Sequence, residues 1–293
     1  MTKQSTTFTA IGTTWSIITS GISPDDWTQL MDRVQARVEL FDKTYSRFRS
    51  DSWVTKLSQK AGKYTLPDDA LPLIKLYENL YKATRGRVTP LIGQVISDAG
   101  YDANYSFQAK PMAKPPAWHD VIAYKGGYIT IKQPALLDFG AAGKGYLVDI
   151  VGSLLNNAGC TDYVIDASGD ILHRSSSKKP ISVGLENPLD MSQAVGIAKL
   201  NNSSLCASSG SRRNWGKYTH ILDPISLESP KEIIATWVIA KDTMTADGLS
   251  TALFFTDPAN LKQFDSVYAI LHKDMQLEYS KNFPAEIFEA TSA

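Results

Sequence analysis

Cysteine, histidine and net charge are scarce in this chain. Cys160 and Cys206 lie far apart and form no C-x-x-C spacing, which argues against a zinc site or a disulfide framework and leaves two buried thiols as the expectation. Lys plus Arg and Asp plus Glu stand at 30 each, so no global field favours nucleic acid or an acidic membrane surface. An anionic ligand must therefore be held locally. No apolar run reaches transmembrane length, and the stretch Met1 to Phe8 has no apolar core of signal-peptide size, so a cytoplasmic protein is expected. No internal repeat stands out, and no G-x-G-x-x-G follows the first strand, which disfavours a Rossmann domain. What the chain has is apolar content, 43% over 293 residues, enough for a large core in one sizeable domain or two intimate lobes.

The elements alternate without a regular βαβ series, which predicts an α+β fold. Phe8 to Thr19 is rich in β-branched residues and reads as one strand around Gly12-Thr13-Thr14. Ser23 and Pro24 then open a helix whose apolar positions recur at Trp27, Leu30, Met31, Val34, Val38 and Phe41. A second helix is expected from about Asp68 to Thr84. The proline-rich run Lys110 to Pro116 is a connector, and Gly126-Gly127 between Tyr124 and Tyr128 signals a hairpin. After Asp149 a helix runs to Ala158-Gly159. Strands follow at 163–166, 181–185, 194–199, 236–239 and 267–271, with a turn at Ser168-Gly169-Asp170.

The segment Leu137-Asp138-Phe139-Gly140-Ala141-Ala142-Gly143-Lys144-Gly145-Tyr146 carries the clearest chemistry. Read as a strand-to-helix junction, it offers glycines that let backbone approach an anion, a helix N-terminus and a lysine point charge, which suits a phosphate-bearing ligand. Ala207-Ser208-Ser209-Gly210-Ser211 is a second cluster, a loop of small hydroxyl donors. His220, one of only four histidines, follows in Tyr218-Thr219-His220-Ile221-Leu222-Asp223-Pro224; it is either structural or a base. Asp223 either orients that histidine or caps the turn before Pro224. In Met244 to Phe254, which reads as a helix start, Asp247 and Thr251 share a helical face. Their oxygens either hold a hard cation such as Mg²⁺ or serve as an N-cap and a packed side chain.

Taken in order, these segments and Ala167-Ser168-Gly169-Asp170-Ile171 resemble the ApbE-like family of FAD:protein FMN transferases. The family shares D-L-G-x-x-A-K-G-Y-x-x-D, G-G-D-I, T-S-G, Y-x-H-I-x-D-P and A-D-A-L-x-T. Ile11-Gly12-Thr13, Phe48-Arg49-Ser50-Asp51-Ser52 and Gly86-Arg87-Val88-Thr89-Pro90 extend the likeness over nearly the whole chain. The resemblance implies a single domain over 1–293 with a T-fold-like architecture of antiparallel sheets and packed helices, and with FAD in a cleft between lobes. It implies Mg²⁺-dependent transfer of FMN from FAD to a Thr or Ser hydroxyl of a flavoprotein, with release of AMP.

Carried over residue by residue, the likeness gives FAD contacts to Ile11, Phe48, Arg87, Val88, Thr89, Asp138, Lys144, Ser208, Ser209, Gly210, His220 and Ile221. The metal falls to side-chain oxygens of Asp247 and Thr251 and backbone oxygens of Ala141 and Ser250. His220 is the implied general base, with Lys144 and Asp247 the other catalytic groups. Asp149 fits the pattern but is explained as well by closing a helix junction. Ile11, Phe48, Val88, Thr89, Ser168, Gly143 and Gly248 depart from the usual residues, several at the FAD pocket. FAD hydrolysis to FMN and AMP, and flavin storage or delivery without chemistry, are the competing readings. The expected acceptor is a cytoplasmic flavoprotein, with no nucleic acid and no membrane insertion.

Overall fold

The computed structural model describes residues 3–288. It opens with a hairpin rather than one strand: β1 (Lys3–Ala10) pairs antiparallel with β2 (Thr13–Ser20). The turn falls at Ile11 and Gly12, both at positive φ (42° and 74°). Alternating β-branched residues hide such a turn because Ile is a poor candidate for the left-handed region. Helix α1 (Pro24–Tyr45) starts at Ser23, whose hydroxyl accepts the Asp26 N–H at 3.1 Å, a cap worth about 1 kcal/mol. The indole N–H of Trp27 donates to the Thr6 hydroxyl at 3.0 Å and ties the helix to the hairpin.

A short helix α2 (Trp53–Gln59), capped by Ser52, follows and has no counterpart in the sequence expectation. Its amphipathic run is too brief to show a period. Strand β3 (Gly62–Thr65) precedes α3 (Ala70–Ala83), which begins two residues later than expected. Then come α4 (Gly93–Asp98), α5 (Trp118–Val121), and the expected hairpin of β4 (Ile122–Lys125) and β5 (Tyr128–Ile131), which joins β3 in a three-stranded sheet. Residues 134–139 form no strand, so the glycine-rich segment joins a loop, not a strand, to a helix. That helix, α6 (Gly143–Asn157), starts before Asp149 and carries it on its second turn.

The chain continues through β6 (Tyr163–Asp166), β7 (Asp170–Arg174), β8 (Ile181–Asn187), β9 (Asp190–Leu200) and β10 (Ser204–Ser209). Two short strands, β11 (Asn214–Trp215) and β12 (Tyr218–Thr219), lead to β13 (Ile233–Ala240) and α7 (Thr243–Ala252). Strands β14 (Ser266–His272), β15 (Leu277–Tyr279) and β16 (Ala285–Ile287) complete the described chain. An antiparallel eight-stranded sheet in the order β1-β2-β6-β7-β10-β13-β14-β15 organises the molecule.

Side-chain alternation along these strands builds two cores. On β13, Ala235, Trp237 and Ile239 face one core, while Val238 and Ala240 face the other. The first face packs on the three-stranded sheet of β8, β9 and β16, through Leu185, Ala198 and Leu200. The second is covered by helices, with Leu147, Val148 and Val151 of α6 and Leu249 of α7 buried there. Cys160 and Cys206 are buried free thiols, as expected. Among the described residues no helix is long and apolar enough to cross a membrane.

Candidate functional site

The starts of α6 and α7 meet at the helix-covered face of the large sheet. Gly145 sits where the helices touch: a β-carbon there would lie 2.7 Å from Asp247 Cβ and press harder still on the Thr243 carbonyl oxygen. This close approach lets the Gly145 N–H donate to Asp247 Oδ2 at 2.9 Å. Asp247 is thus not an N-cap of its own helix. Asp242 fills that position, with its carboxylate accepting the Thr245 N–H at 2.8 Å. One turn along α6, Asp149 accepts the N–H groups of Thr243 and Met244 at 2.9 and 2.8 Å, so it closes the helix junction. Burial pushes its pKa up to about 6 against those two bonds.

Lys144 projects from the first turn of α6 toward β7. Its Nζ donates to the Ala167 carbonyl at 2.9 Å and lies 2.5 Å from Asp170 Oδ2. The second contact is a buried ion pair. Burial works against the Lys144 charge, but Asp170 and Asp247 outweigh it and hold its pKa above the ordinary lysine value. Burial and the nearby Asp170 charge in turn push the Asp247 carboxyl well above the usual carboxylate range. One cation facing two buried carboxylates leaves an excess of negative charge.

His220 follows β12 and is half-buried at the cleft wall. Its backbone N–H donates to the Arg213 carbonyl at 3.1 Å, and its Nδ1 lies 3.4 Å from the same oxygen. A carbonyl can only accept, so this contact favours the proton on Nδ1 and leaves Nε2 free to accept one. Burial, then the Arg213 cation, lowers the imidazole pKa to about 4. Asp223 does not orient the ring. It pairs with Arg87 at 3.1 Å and accepts the Ile225 N–H at 2.8 Å, which makes it the cap of its turn.

The site is a cleft of two chambers that share Arg47, Phe48, Asp138 and Lys144 in their walls. The inner chamber is lined by Phe48, Arg87, Val88, Thr89, Asp138, Ala141, Lys144, Ser208, Ser209, His220, Ile221, Asp247 and Thr251, so most of the residues singled out in the sequence converge there. Ile11 lines the outer chamber, beside Phe41, Tyr105 and Trp215. Gly210 and Ser250 line neither. Ser250 is fully buried, its hydroxyl bonded to Ser208 at 2.7 Å and its carbonyl accepting the Thr236 hydroxyl at 2.7 Å. Ser208 and Ser209 belong to the end of β10 rather than to a loop, and only Gly210 and Ser211 leave the sheet.

Several site residues escaped the sequence reading. Arg47 is one: its side chain is 3% exposed, its Nε is 2.5 Å from Asp138 Oδ2, and it borders both chambers. A charged residue two positions from the half-buried Arg49 gives no sequence sign of full burial. Tyr77 is another, a buried phenol that accepts the Ala141 N–H at 3.0 Å. The aromatic wall of Tyr101, Tyr105 and Trp215 lies far along the chain from the glycine-rich segment and shares no periodic pattern with it.

The chain that carries these segments has a match among known proteins: the model of the ApbE family aligns with residues 11–269. The chain belongs to the ApbE family. It is 25% identical over 275 residues to the FAD:protein FMN transferase of Klebsiella pneumoniae (strain 342), covering 86% of this chain and 78% of that protein. The Escherichia coli (strain K12) FAD:protein FMN transferase is 23% identical over 279 residues, with the same coverage. Among solved structures, the ApbE protein of Thermotoga maritima matches with a TM-score of 0.85 at 19% identity, covering 97% of this chain and 100% of that one. The flavin transferase ApbE of Vibrio cholerae gives 0.79 at 20% identity, with coverage of 96% and 98%. The fold is therefore the ApbE architecture of antiparallel sheets with packed helices.

Two departures from the ApbE pattern have local explanations. Gly248 stands where the family usually has alanine, and a β-carbon there would meet Leu80 Cδ1 at 2.8 Å. Ser168 replaces a glycine and keeps the left-handed backbone, φ 54°, while its hydroxyl donates to the Thr14 carbonyl at 2.9 Å.

Proposed function

We propose that this chain transfers FMN from FAD to a Thr or Ser hydroxyl of an acceptor flavoprotein and releases AMP. The observation that carries the reading is the convergence of Lys144, His220, Asp247 and Thr251 on one chamber, in a member of a family whose named relatives are FAD:protein FMN transferases.

Mg²⁺ fits the donor set. Asp247, Thr251 and Ala141 border the same chamber, and a carboxylate, a hydroxyl and a backbone carbonyl are the hard oxygen ligands that magnesium takes, often completed by substrate phosphates. Two buried carboxylates, Asp170 and Asp247, face the single cation Lys144, which supports a second cation there. A site with one carboxylate ligand differs from a cluster of His, Cys, Asp or Glu ligands, and no such cluster occurs among the described residues. Ser250, with its carbonyl bonded to Thr236, is left out of this set. When bound, the ion would supply electrostatic stabilisation of charge on the phosphoryl oxygens.

The protein's own groups do the rest. His220 Nε2 takes the proton of the acceptor hydroxyl as that oxygen bonds to the phosphorus of the FMN half. The bond from that phosphorus to the bridging oxygen breaks, and the electron pair leaves with AMP. Lys144, held cationic by its carboxylate neighbours, lies where it can offset charge on the pyrophosphate. The walls of the chamber position the reactants and limit water, which would otherwise yield free FMN.

Incubation of the purified protein with FAD, Mg²⁺ and a Thr-containing acceptor flavoprotein tests the proposal. Covalent flavin on the acceptor, seen by in-gel fluorescence and abolished by EDTA, is expected. AMP without labelled acceptor would favour hydrolysis, and FAD binding without AMP would favour storage; either outcome overturns transfer.

A further inference from the structure

Arg47 lies just past the C-cap Ser46 of α1 and borders both chambers. Its Nε bonds Asp138 Oδ2 at 2.5 Å, while Asp138 Oδ1 accepts the Gly140 N–H at 2.7 Å. The guanidinium carbon lies 4.1 Å from the Phe48 ring centroid and 5.3 Å from that of Tyr101. Its Nη2 is buried and has no hydrogen-bond partner. Such an orphan donor is costly to bury unless something else accepts from it.

The ion pair decides what that acceptor is. Asp138 cancels the Arg47 charge, so the pair attracts a free phosphate poorly. It presents a donor beside an acceptor, flanked by aromatic faces. That combination complements a flat heterocycle whose edge carries an acceptor next to an N–H.

We propose that Arg47 reads the edge of one of the two ring systems of FAD, with Nη2 donating to a ring carbonyl or ring nitrogen and Asp138 accepting the adjacent N–H. Both the imide edge of the flavin and the amino edge of adenine offer this pattern. The inference rests on the reading that the cleft holds FAD, and it adds a specificity-determining residue to that site.

Binding of FMN and of AMP, each measured separately by calorimetry against the wild-type protein and Arg47→Lys, tests it. Lysine keeps the charge beside Asp138 and loses the second donor. One of the two half-ligands should lose about tenfold in affinity, a single hydrogen bond's worth, while the other changes less than about twofold. The half that weakens identifies the ring. Equal affinities for both halves, or an equal fall in both, would overturn the proposal. Because Arg47→Lys could disturb the fold, ligand analogues with the wild-type protein give a second measurement. IMP, which exchanges the donor and acceptor of the adenine edge, or N3-methylated FMN, which blocks the imide, should bind about tenfold more weakly than its parent. If neither analogue is discriminated, the inference fails. Failure to bind FAD at all would instead refute the functional reading on which it rests.

Discussion

The Gly145 N–H donates to the Asp247 carboxylate at 2.9 Å, linking residues 102 positions apart at the contact of two helix starts. That bond needs both the missing side chain at 145 and the carboxylate at 247. It fixes Asp247 in the chamber wall beside Lys144, which precedes Gly145 in the chain.

Gly145→Ala should therefore separate the helices. Better helix propensity offers about 1 kcal/mol, but contact with the Thr243 carbonyl and Asp247 Cβ is a tight overpacking whose cost is about 1–3 kcal/mol or more. Urea unfolding should show a lower midpoint, by about 1–2 kcal/mol in stability. A variant as stable as the wild type would mean that the helices are not held this closely.

Ile11 carries backbone strain at the rim of the outer chamber. A β-branched residue at φ 42° costs roughly 1–2 kcal/mol. Ile11→Ala removes packing and keeps the strain, whereas Ile11→Asn removes the same packing and suits the left-handed backbone. The asparagine variant should be more stable than the alanine variant by about 1 kcal/mol in thermal unfolding. Equal stabilities would argue against a positive φ at this turn.

His220 should be neutral well below the pH at which an ordinary imidazole gains its proton. Burial and Arg213 disfavour the charged form, so its pKa falls to about 4. The base form is then present throughout the neutral range and is lost as pH drops through that value. With four histidines in the chain, NMR titration of the Cε1 protons resolves each one. A midpoint near the ordinary imidazole value of about 6.5 would contradict the cleft environment described here. Arg213→Gln should move the midpoint upward.

Much of the fold was legible because its signals are local. Ser23-Pro24 capped α1 where expected, and Gly126-Gly127 turned the hairpin of β4 and β5, since capping and turn chemistry act within a few residues. The turn at Ile11 was hidden because tertiary context holds that residue in a conformation its side chain disfavours. The site divides in the same way. Lys144, His220, Asp247 and Thr251 stood in short motifs, whose resemblance to the ApbE family ordered them. Arg47 depends on burial and on a partner far along the chain, which no short motif records, and Asp170 stood in a motif that gave no sign of its pairing with Lys144. Asp149 was visible as an acidic residue, but its partners, the first N–H groups of α7, emerged only when two helices were packed together.

If one chamber both cleaves FAD and hands its FMN half to a hydroxyl, the two products form together. The most direct measurement is the ratio of AMP released to flavin covalently bound to the acceptor in a single reaction. The account predicts one AMP for each flavin attached, and loss of both products together in His220→Asn and Asp247→Asn. AMP in large excess over attached flavin, or no AMP while FAD is bound, would contradict it.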